Sequence, residues 1–289
     1  MTGAGGFIGA HLCRVLLERG HTVVALVRAP RAGWQGLGGH AQMQVEVGDV
    51  LDQGRLAALC VQREVEAVCH LAVQPPEEQD RARQVNTQGT LSVLQACGEA
   101  GVKRMVFTSS MSVYDFRAPA YLPVDEAHLL DPQQVYGAEK QTAEEYCSTQ
   151  AAGMEVPILR LAGVYGPGKC QGAVYQFIRA ALEGQPIQIP LNRAVDLLYV
   201  EDAAWAVAVA AEGRGGSQLF NIGSGRAVAL REVAELACRQ VGASAPIFCG
   251  PEGNAFYLDI GRARAQLGFS PRPLSEGMAR FIPWVEQEG

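Results

Sequence analysis

The stretch that decides the fold is Thr2-Gly3-Ala4-Gly5-Gly6-Phe7-Ile8-Gly9, which has a glycine at every third position and runs into a helical pattern. Gly3 allows a tight turn, Gly6 allows a pyrophosphate to approach the backbone, and Gly9 allows the helix to pack closely on a strand. The start of that helix offers free amides and a positive dipole end to a phosphate. The stretch predicts a dinucleotide-binding turn, although a glycine-rich turn is often only a turn.

A phosphate-binding turn of this kind follows a hydrophobic strand, but only Met1 precedes Thr2 here. The first strand is therefore apparently missing. In a doubly wound sheet it would be central, between the strands predicted at 23–27 and 67–71. We expect either that the native start lies upstream of Met1 or that the sheet has a gap at this position.

Short apolar runs alternate with helical patterns through the first two thirds of the chain. The predicted strands are 23–27, 44–47, 67–71, 104–108 and 156–161, and the predicted helices are 54–62, 86–100 and 136–151. This alternation predicts an α/β fold with a doubly wound, Rossmann-like parallel sheet.

The alternation breaks up after residue 165. Helices predicted at 173–183 and 230–241 and a strand at 197–200 indicate a smaller, interleaved C-terminal substrate lobe. We therefore expect a dinucleotide-binding domain at 1–165, to which 193–222 returns, and a substrate-binding lobe at 166–289.

Composition limits the classes of function. The 289 residues are 48% hydrophobic, and the net charge of −6 comes from both signs scattered along the chain. That balance argues against nucleic acid or an anionic membrane as a partner, and no apolar run is long enough to span a bilayer. We expect a cytoplasmic enzyme that acts on a small molecule.

The eight cysteines contain no Cys-x-x-Cys spacing, and the five histidines are scattered. Most of the cysteines lie in apolar contexts, which is typical of buried free thiols. The sequence therefore predicts neither disulfides nor a metal site.

Tyr136 and Lys140 are four residues apart, so they share one face of a predicted helix. A phenol has a pKa of about 10, and a nearby ammonium and nicotinamide charge would favour its ionised form. Tyr136 could then exchange protons near neutral pH. A tyrosine and a lysine at this spacing also occur often by chance on a solvated helix face.

Hydroxyl side chains at 108–110 arrive where the strand predicted at 104–108 ends. Such groups lie beside the ligand of a parallel sheet, although serines also simply terminate strands. Ser110 could hydrogen-bond the same substrate oxygen that Tyr136 protonates, and the two residues with Lys140 would form one catalytic site.

A series of motifs extends nearly from end to end. It comprises Thr-Gly-x-x-Gly-x-x-Gly at 2–9, Gly48-Asp49, His70-Leu71-Ala72, Asn86-x-x-Gly89-Thr90, Ser110, Pro123-x-x-Glu126, Tyr136-x-x-x-Lys140, Arg160 ahead of Val164-Tyr165-Gly166-Pro167-Gly168, Tyr199-Val200-x-Asp202 and Phe220-Asn221-Ile222-Gly223-Ser224-Gly225. In this series the chain resembles the extended short-chain dehydrogenase/reductases, also called the NAD-dependent epimerase/dehydratase family.

The resemblance implies roles for single residues. The residue matching Asp49 contacts adenine, Tyr136 transfers a proton, Lys140 holds the nicotinamide ribose and Ser110 positions the substrate. The candidate cofactor-binding residues are Gly3, Gly6, Phe7, Ile8, Arg28, Asp49, Val50, Leu71, Ala72, Asn86, Tyr136 and Lys140.

Departures from the family pattern narrow the activity. Family members that eliminate water have an Asp-Glu pair after the catalytic hydroxyl, whereas this chain has Met111 and Ser112, which argues against a 4,6-dehydratase. Gly163 and Val195 stand where members acting on nucleotide sugars usually have Asn and Arg. Arg193 could still reach a diphosphate, so the nucleotide-sugar interpretation is weakened and stays open.

The end of the second predicted strand bears on the cofactor. An NAD site has an acidic residue there for the ribose hydroxyls, but this chain has Val27 followed by Arg28, with Arg31 nearby. A guanidinium at this place could bind a 2'-phosphate, and a solvated loop arginine is the plainer alternative. The sequence slightly favours NADP over NAD.

Three functions remain in order of preference. The first is an NAD(P)-dependent sugar epimerase, in which a hydroxyl is transiently oxidised. The second is an NADPH-dependent carbonyl reductase that uses the same three residues once. The third is a protein that senses the cofactor without catalysis. By resemblance, a homodimer would pair helices 86–100 and 136–151.

Overall fold

The computed structural model describes residues 1–29, 40–74, 79–151 and 153–287. Arg31, which was expected to reinforce Arg28, lies outside the described residues. In the first part of the chain the elements are α1 Phe7–Glu18, β1 Val23–Val27, β2 Met43–Val47, α2 Gln53–Gln62, β3 Ala67–His70, α3 Gln79–Arg83, α4 Gly89–Glu99, β4 Arg104–Ser110, α5 Val135–Thr149 and β5 Ile158–Leu161.

The later elements are shorter and more mixed. They are β6 Gly163–Tyr165, α6 Ala173–Leu182, β7 Ile187–Ile189, β8 Asn192–Val195, β9 Leu197–Tyr199, α7 Val200–Ala211, β10 Leu219–Ile222, β11 Val228–Ala229, α8 Leu230–Val241, β12 Ile247–Cys249, β13 Glu252–Ala255, α9 Gly261–Leu267 and α10 Leu274–Gln287.

The main strands pair in parallel, as the alternation predicted. One set is β1 with β2, and the other has the order β10, β5, β4, β3. Apolar side chains of α1 and α7 cover one face, and those of α2, α4 and α5 cover the other. Because both faces are covered, strands such as β4 are buried over nearly their whole length. The α/β, doubly wound fold is confirmed.

The expected gap in the sheet is present between β1 and β3. Within the described residues these two strands do not pair with each other, and Thr2 lies between them with parallel bridges to Leu26 and to His70. The rest of the gap forms a cavity of about 610 Å³ lined by both strands. Thr2 therefore occupies one position of a central strand between β1 and β3.

The helix predicted at 86–100 differs from the observed one. The helical region begins earlier, at Gln79, and a π-helical turn at Gln84–Gln88 precedes α4. The buried Asn86 lies in this turn and bonds to protein groups outside it. These tertiary contacts are absent from a helical repeat, which is why the sequence pattern missed the irregularity.

A separate apolar cluster lies in the later part of the chain. It is built from α6, α8 and α10 together with β7, which pairs in parallel with β12. β6 pairs with β9, and β8 pairs with β11 and β13. Across the described ranges, no helix is both long and apolar enough to cross a membrane.

Candidate active site

The glycine turn leads directly into α1. Gly6 is the N-cap residue and makes no side-chain capping bond, so the first amides of the helix point outward without a side-chain partner at the cap. Gly3 has a φ of +68°, and a Cβ there would lie 2.5 Å from the carbonyl carbon of Leu71. A Cβ on Gly9 would lie 2.1 Å from the Gly3 oxygen. These distances explain why glycine is needed.

A cleft of about 410 Å³ opens beside this turn. Seven of the predicted cofactor residues line it: Gly3, Gly6, Arg28, Asp49, Val50, Leu71 and Ala72. Gly5, Val73 and Val85 also line it, and they were not among the candidate cofactor-binding residues. Phe7 and Ile8 begin α1 at the edge of the same turn. Residues far apart in sequence therefore meet at the carboxyl ends of β1 and β3.

Asp49 follows β2 at the wall of this cleft. Its carboxylate accepts a hydrogen bond from the Leu51 amide at 3.0 Å and forms an ion pair with Arg81 of α3. The sequence analysis did not identify Arg81, because no motif marks it. The ion pair holds the Asp49 carboxylate at the edge where the resemblance places an adenine.

Asn86 was expected to bind the cofactor. In the structure its side chain is buried and bonded to the protein: the amide of Gln74 donates to Oδ1 at 2.9 Å, and Nδ2 donates to Glu139 Oε2 at 2.7 Å. Asn86 thus connects the segment after β3 to α5. Its role toward a cofactor stays a prediction.

Ser110 and Tyr136 come together at the carboxyl end of β4. Ser110 is the last residue of β4, where its hydroxyl accepts the Ser112 amide at 3.1 Å and donates to the Ser112 hydroxyl at 3.2 Å, and it lies close enough to the phenol of Tyr136 to lower the pKa of that phenol. Gly137 permits this approach, since a Cβ there would lie 2.1 Å from the Ser112 oxygen. Gly137 was not singled out from the sequence, although it stands inside the Tyr-x-x-x-Lys motif.

Lys140 is fully enclosed one turn further along α5. Its Nζ donates to the carbonyl oxygen of Thr108 at 2.8 Å and lies 5.9 Å from the centre of the Tyr136 ring. Burial lowers the pKa of Lys140 to about 8, against the opposite effect of Cys147, Glu144 and Glu139 nearby. The buried Lys140 side chain, with one backbone acceptor, therefore loses its charge at a pH only slightly above neutral.

The pKa of Tyr136 departs from the expectation. Burial raises it to about 12, nearby Ser110 acts in the opposite direction, and the Glu139 carboxylate adds to the rise. The predicted lowering by Lys140 is absent from this structure, because the ammonium is turned toward Thr108. Tyr136 therefore holds its proton at neutral pH until a positive charge comes closer to the phenol.

A buried polar network supports the helix that carries Tyr136 and Lys140. Glu144 accepts three hydrogen bonds from Arg160, the shortest at 2.6 Å, and one from Ser109 at 2.5 Å. Arg160 also donates to the Tyr114 hydroxyl at 2.7 Å, which in turn donates to Asn221 at 2.9 Å. α5 is thereby joined to β4, β5 and β10 by charge-assisted hydrogen bonds.

Two of the positions that depart from the family pattern, Gly163 and Val195, lie in paired strands. Gly163 donates its amide to the Asp196 carbonyl oxygen, and a Cβ on Gly163 would lie 3.0 Å from that oxygen. Val195 ends β8 and pairs with Val228, whereas Arg193 is exposed on the same strand. Close strand packing explains why Gly163 is small.

The cysteines are free thiols at all eight positions, and Cys170 is the exposed one. No group of three or more His, Cys, Asp or Glu side chains in the part of the chain described here is arranged to hold a metal ion.

Comparison with known proteins identifies the family to which this architecture belongs. Residues 1–223 match the model of the NAD dependent epimerase/dehydratase family. The chain belongs to this family. The UDP-glucose 4-epimerase of Mycolicibacterium smegmatis is 31% identical over 100% of this chain and 98% of its own length. The resemblance inferred from the motifs is confirmed.

Two solved members of the epimerase/dehydratase family share the whole fold. UDP-glucose 4-epimerase of Thermotoga maritima, solved with UDP-glucose, has a TM-score of 0.87 and 25% identity over 99% of this chain and 98% of its own. UDP-glucuronic acid 4-epimerase from Bacillus cereus, in complex with UDP-glucuronic acid and NAD, has a TM-score of 0.87 and 25% identity over 100% and 98%.

Proposed function

We propose that the protein is an NAD(P)-dependent epimerase that inverts one hydroxyl-bearing carbon of a nucleotide sugar. The observation that carries this proposal is the closeness of Ser110, at the carboxyl end of β4, to Tyr136 of α5, which lies one helical turn from Lys140. Two hydroxyls so placed can hold a single sugar oxygen. The names of the three relatives above, all UDP-sugar 4-epimerases, support the same function.

The cleft fits a nicotinamide dinucleotide. Its turn brings the uncapped amides of α1 to a place that no Cβ obstructs, and Leu71 and Ala72 line the adjoining wall. Such amides bind a pyrophosphate. Bound there, the nicotinamide supplies a reversible acceptor for the hydride of the sugar carbon.

The residues of this chain handle the proton and the sugar oxygen. Ser110 donates a hydrogen bond to that oxygen, while Tyr136 removes the hydroxyl proton and later returns it. The high pKa of Tyr136 opposes the first step until a cation approaches the phenol. Lys140 can provide that charge if it leaves the Thr108 carbonyl.

The test uses NAD-loaded protein incubated with UDP-glucose and, separately, with UDP-glucuronic acid. An epimerase converts one of these sugars into its C4 epimer, detected by proton NMR, without net reduction of NAD. The Tyr136→Phe variant is the control. A wild-type protein that binds cofactor but converts neither sugar would contradict the proposal for these substrates.

The carbonyl reductase stays as the second candidate, because the same Ser-Tyr-Lys set can deliver one proton to a carbonyl. It would consume NADPH in proportion to product, whereas an epimerase releases no oxidised cofactor. A sensor without catalysis is the least favoured candidate, since binding alone does not require Ser110, Tyr136 and Lys140 together.

The choice between NAD and NADP rests on the wall of the cleft. Arg28 is exposed there and follows Val27, which cannot accept a bond from a ribose hydroxyl. This favours NADP slightly, while the solved B. cereus relative contains NAD. We keep NADP as the prediction to be tested by comparing dissociation constants.

Three further expectations are part of the proposal. Residues 166–289 bind the sugar nucleotide, residues 1–165 with 193–222 bind the cofactor, and the protein acts in the cytoplasm. A homodimer formed through α4 and α5 is also proposed, and sedimentation equilibrium would test it by measuring the mass of the particle.

A further inference from the structure

Two cysteines from different helices lie near each other on the face of the sheet that α2 and α4 cover. Cys60 is in the last turn of α2, and Cys97 is in the last turn of α4. Both line a small cavity of about 40 Å³ between these helices and the sheet. Cys97 is buried in the apolar cluster there, whereas Cys60 packs against that cluster and stays partly exposed. The fold therefore brings together two thiols that are far apart in the sequence.

The two thiols affect each other's protonation. The closeness of Cys97 lowers the pKa of Cys60, and burial acts in the opposite direction. The closeness of Cys60, together with burial, raises the pKa of Cys97. A thiolate at Cys60 is stabilised by an S–H donor beside it, so one thiol of the pair loses its proton more easily and the other keeps it. The thiol that ionises is also the one that solvent reaches.

Another pair of cysteines lacks this combination. Cys13 of α1 lies close enough to Cys69 of β3 to be affected by it, but both residues are buried. Burial raises the pKa of each of these thiols to about 11. Buried thiols that keep their protons are inert. A reaction with a small disulfide is therefore expected at Cys60 and not at Cys13 or Cys69.

We propose that Cys60 and Cys97 form a thiol–disulfide exchange site, which takes a low-molecular-weight disulfide as its oxidant and closes into an internal disulfide. The Cys60 thiolate attacks one sulfur of the small disulfide, whose S–S bond breaks and releases one small thiolate. The sulfur of Cys97 then attacks the Cys60 sulfur and displaces the second small thiol, which takes up the Cys97 proton. The two cysteines lose two electrons in total, and the small disulfide gains them.

The internal disulfide joins two helices that lie behind the cofactor cleft. Val50 lines that cleft shortly before α2, and Gly89 at the start of α4 is so close that a Cβ there would lie 2.8 Å from a Val50 methyl carbon. A link between α2 and α4 restricts the unfolded chain and opposes local separation of the helices. The inference does not depend on the proposed catalytic function, because mass and thermal stability report it without turnover.

The experiment treats the folded Cys170→Ser protein with glutathione disulfide at neutral pH, because the exposed Cys170 would react by itself. Mass spectrometry of the intact protein should show the loss of two hydrogen atoms, and a non-reducing digest should contain one peptide pair that joins Cys60 to Cys97. We expect Tm to rise by about 5–10 °C and to return to its starting value with dithiothreitol.

Two variants in the same background serve as controls. Cys97→Ser should accumulate the mixed disulfide of Cys60 with glutathione and show no rise in Tm. Cys249→Ser removes another partly exposed thiol, which belongs to β12, and should leave the link between Cys60 and Cys97 unchanged.

Three results would overturn the proposal. In the first, Cys60 gains glutathione in the Cys170→Ser protein but does not go on to join Cys97. In the second, neither Cys60 nor Cys97 changes in mass. In the third, the link forms only after urea is added, since it would then not be a property of the folded protein.

Discussion

The two ends of the candidate site are built in different ways. At the glycine turn the backbone itself forms the surface, and the distances from Gly3 and Gly9 to other backbone atoms leave no room for a side chain. At the other end the surface depends on buried Lys140, Glu144 and Arg160, which need polar partners. The first end is therefore sensitive to added volume, and the second is sensitive to lost charge or hydrogen bonds.

The largest effect should come from Tyr136→Phe, which removes one oxygen and little packing surface. We expect kcat to fall by about a thousandfold, since proton transfer by a positioned side chain contributes about 10²–10⁴. Cofactor affinity should stay within about twofold of wild type, measured by fluorescence titration. Near-normal turnover would remove Tyr136 from the mechanism.

Glu144→Gln tests the end of the site that depends on buried charges, because it breaks the buried ion pair with Arg160. We expect a loss of about 3–5 kcal/mol in the free energy of unfolding, because an unpaired buried guanidinium remains. Urea denaturation measures it. Glu183→Gln is the control, since Glu183 pairs with Arg179 at the surface, and its midpoint should not change. An equal loss in the free energy of unfolding for the two variants would mean that the buried network does not stabilise the fold more than a surface ion pair does.

Lys140→Met tests the buried charge through pH. The pKa of Lys140 in the folded protein is lowered to about 8, so between pH 8 and 10.5 the unfolded chain binds more protons than the folded one. The stability of the wild type should therefore rise with pH in that window relative to the variant, by about 3 kcal/mol in total.

The measurement is urea unfolding of both proteins between pH 7.5 and 10, and both proteins contain Tyr136, so its contribution cancels in the difference between them. The difference between the two stability curves isolates Lys140 from the cysteines. A difference that does not vary with pH would mean that Lys140 is not charged differently in the two states.

Gly9→Ala should break the other end of the site. The added Cβ would meet the Gly3 oxygen at 2.1 Å, so the turn must shift. We expect a loss of about 1–3 kcal/mol in stability and weaker cofactor binding. Gly54→Ala is the matched control, because nothing lies within 4 Å of its Cβ and the residue is in α2. Gly54→Ala should leave cofactor binding unaltered. Weaker cofactor binding in both variants would contradict the explanation that Gly9 is needed because a Cβ has no room there.

The smallest effect should come from Arg28→Ala. If Arg28 contacts a 2'-phosphate, the dissociation constant for NADP should rise about tenfold, which is the value of one hydrogen bond to a charged group. The constant for NAD should change less than twofold. Calorimetry with both cofactors decides, and tighter NAD binding that Arg28→Ala leaves unchanged would contradict the preference for NADP.

Much of the fold could be predicted because local patterns carry it. The glycine spacing at 2–9 and the alternation of strands and helices sufficed for the parallel sheet, for the gap and for the residues of the cleft. The remaining details could not be predicted. Arg81 reaches Asp49 across 32 positions, and Arg160 reaches Tyr114 across 46. No periodicity encodes such pairs.

The pKa of Tyr136 shows the same limit for function. The spacing between Tyr136 and Lys140 is a local pattern, and it correctly predicted that both residues lie on one helix. The direction of the Lys140 ammonium, however, depends on Thr108, which belongs to β4. Sequence reasoning placed Tyr136 and Lys140 on one helix, as observed. It could not tell which of two acceptors the ammonium prefers.

The network around Glu144 and Arg160 also bears on how the molecule opens. Helices that are attached only by apolar contacts can detach locally, and their amides then exchange with solvent independently of the core. α5 is tied through Tyr114 and Asn221 to β10 near the far edge of the sheet. We therefore expect the amides of α5, β5 and β10 to exchange together as one cooperative unit, so that the helix carrying Tyr136 opens only when the sheet opens.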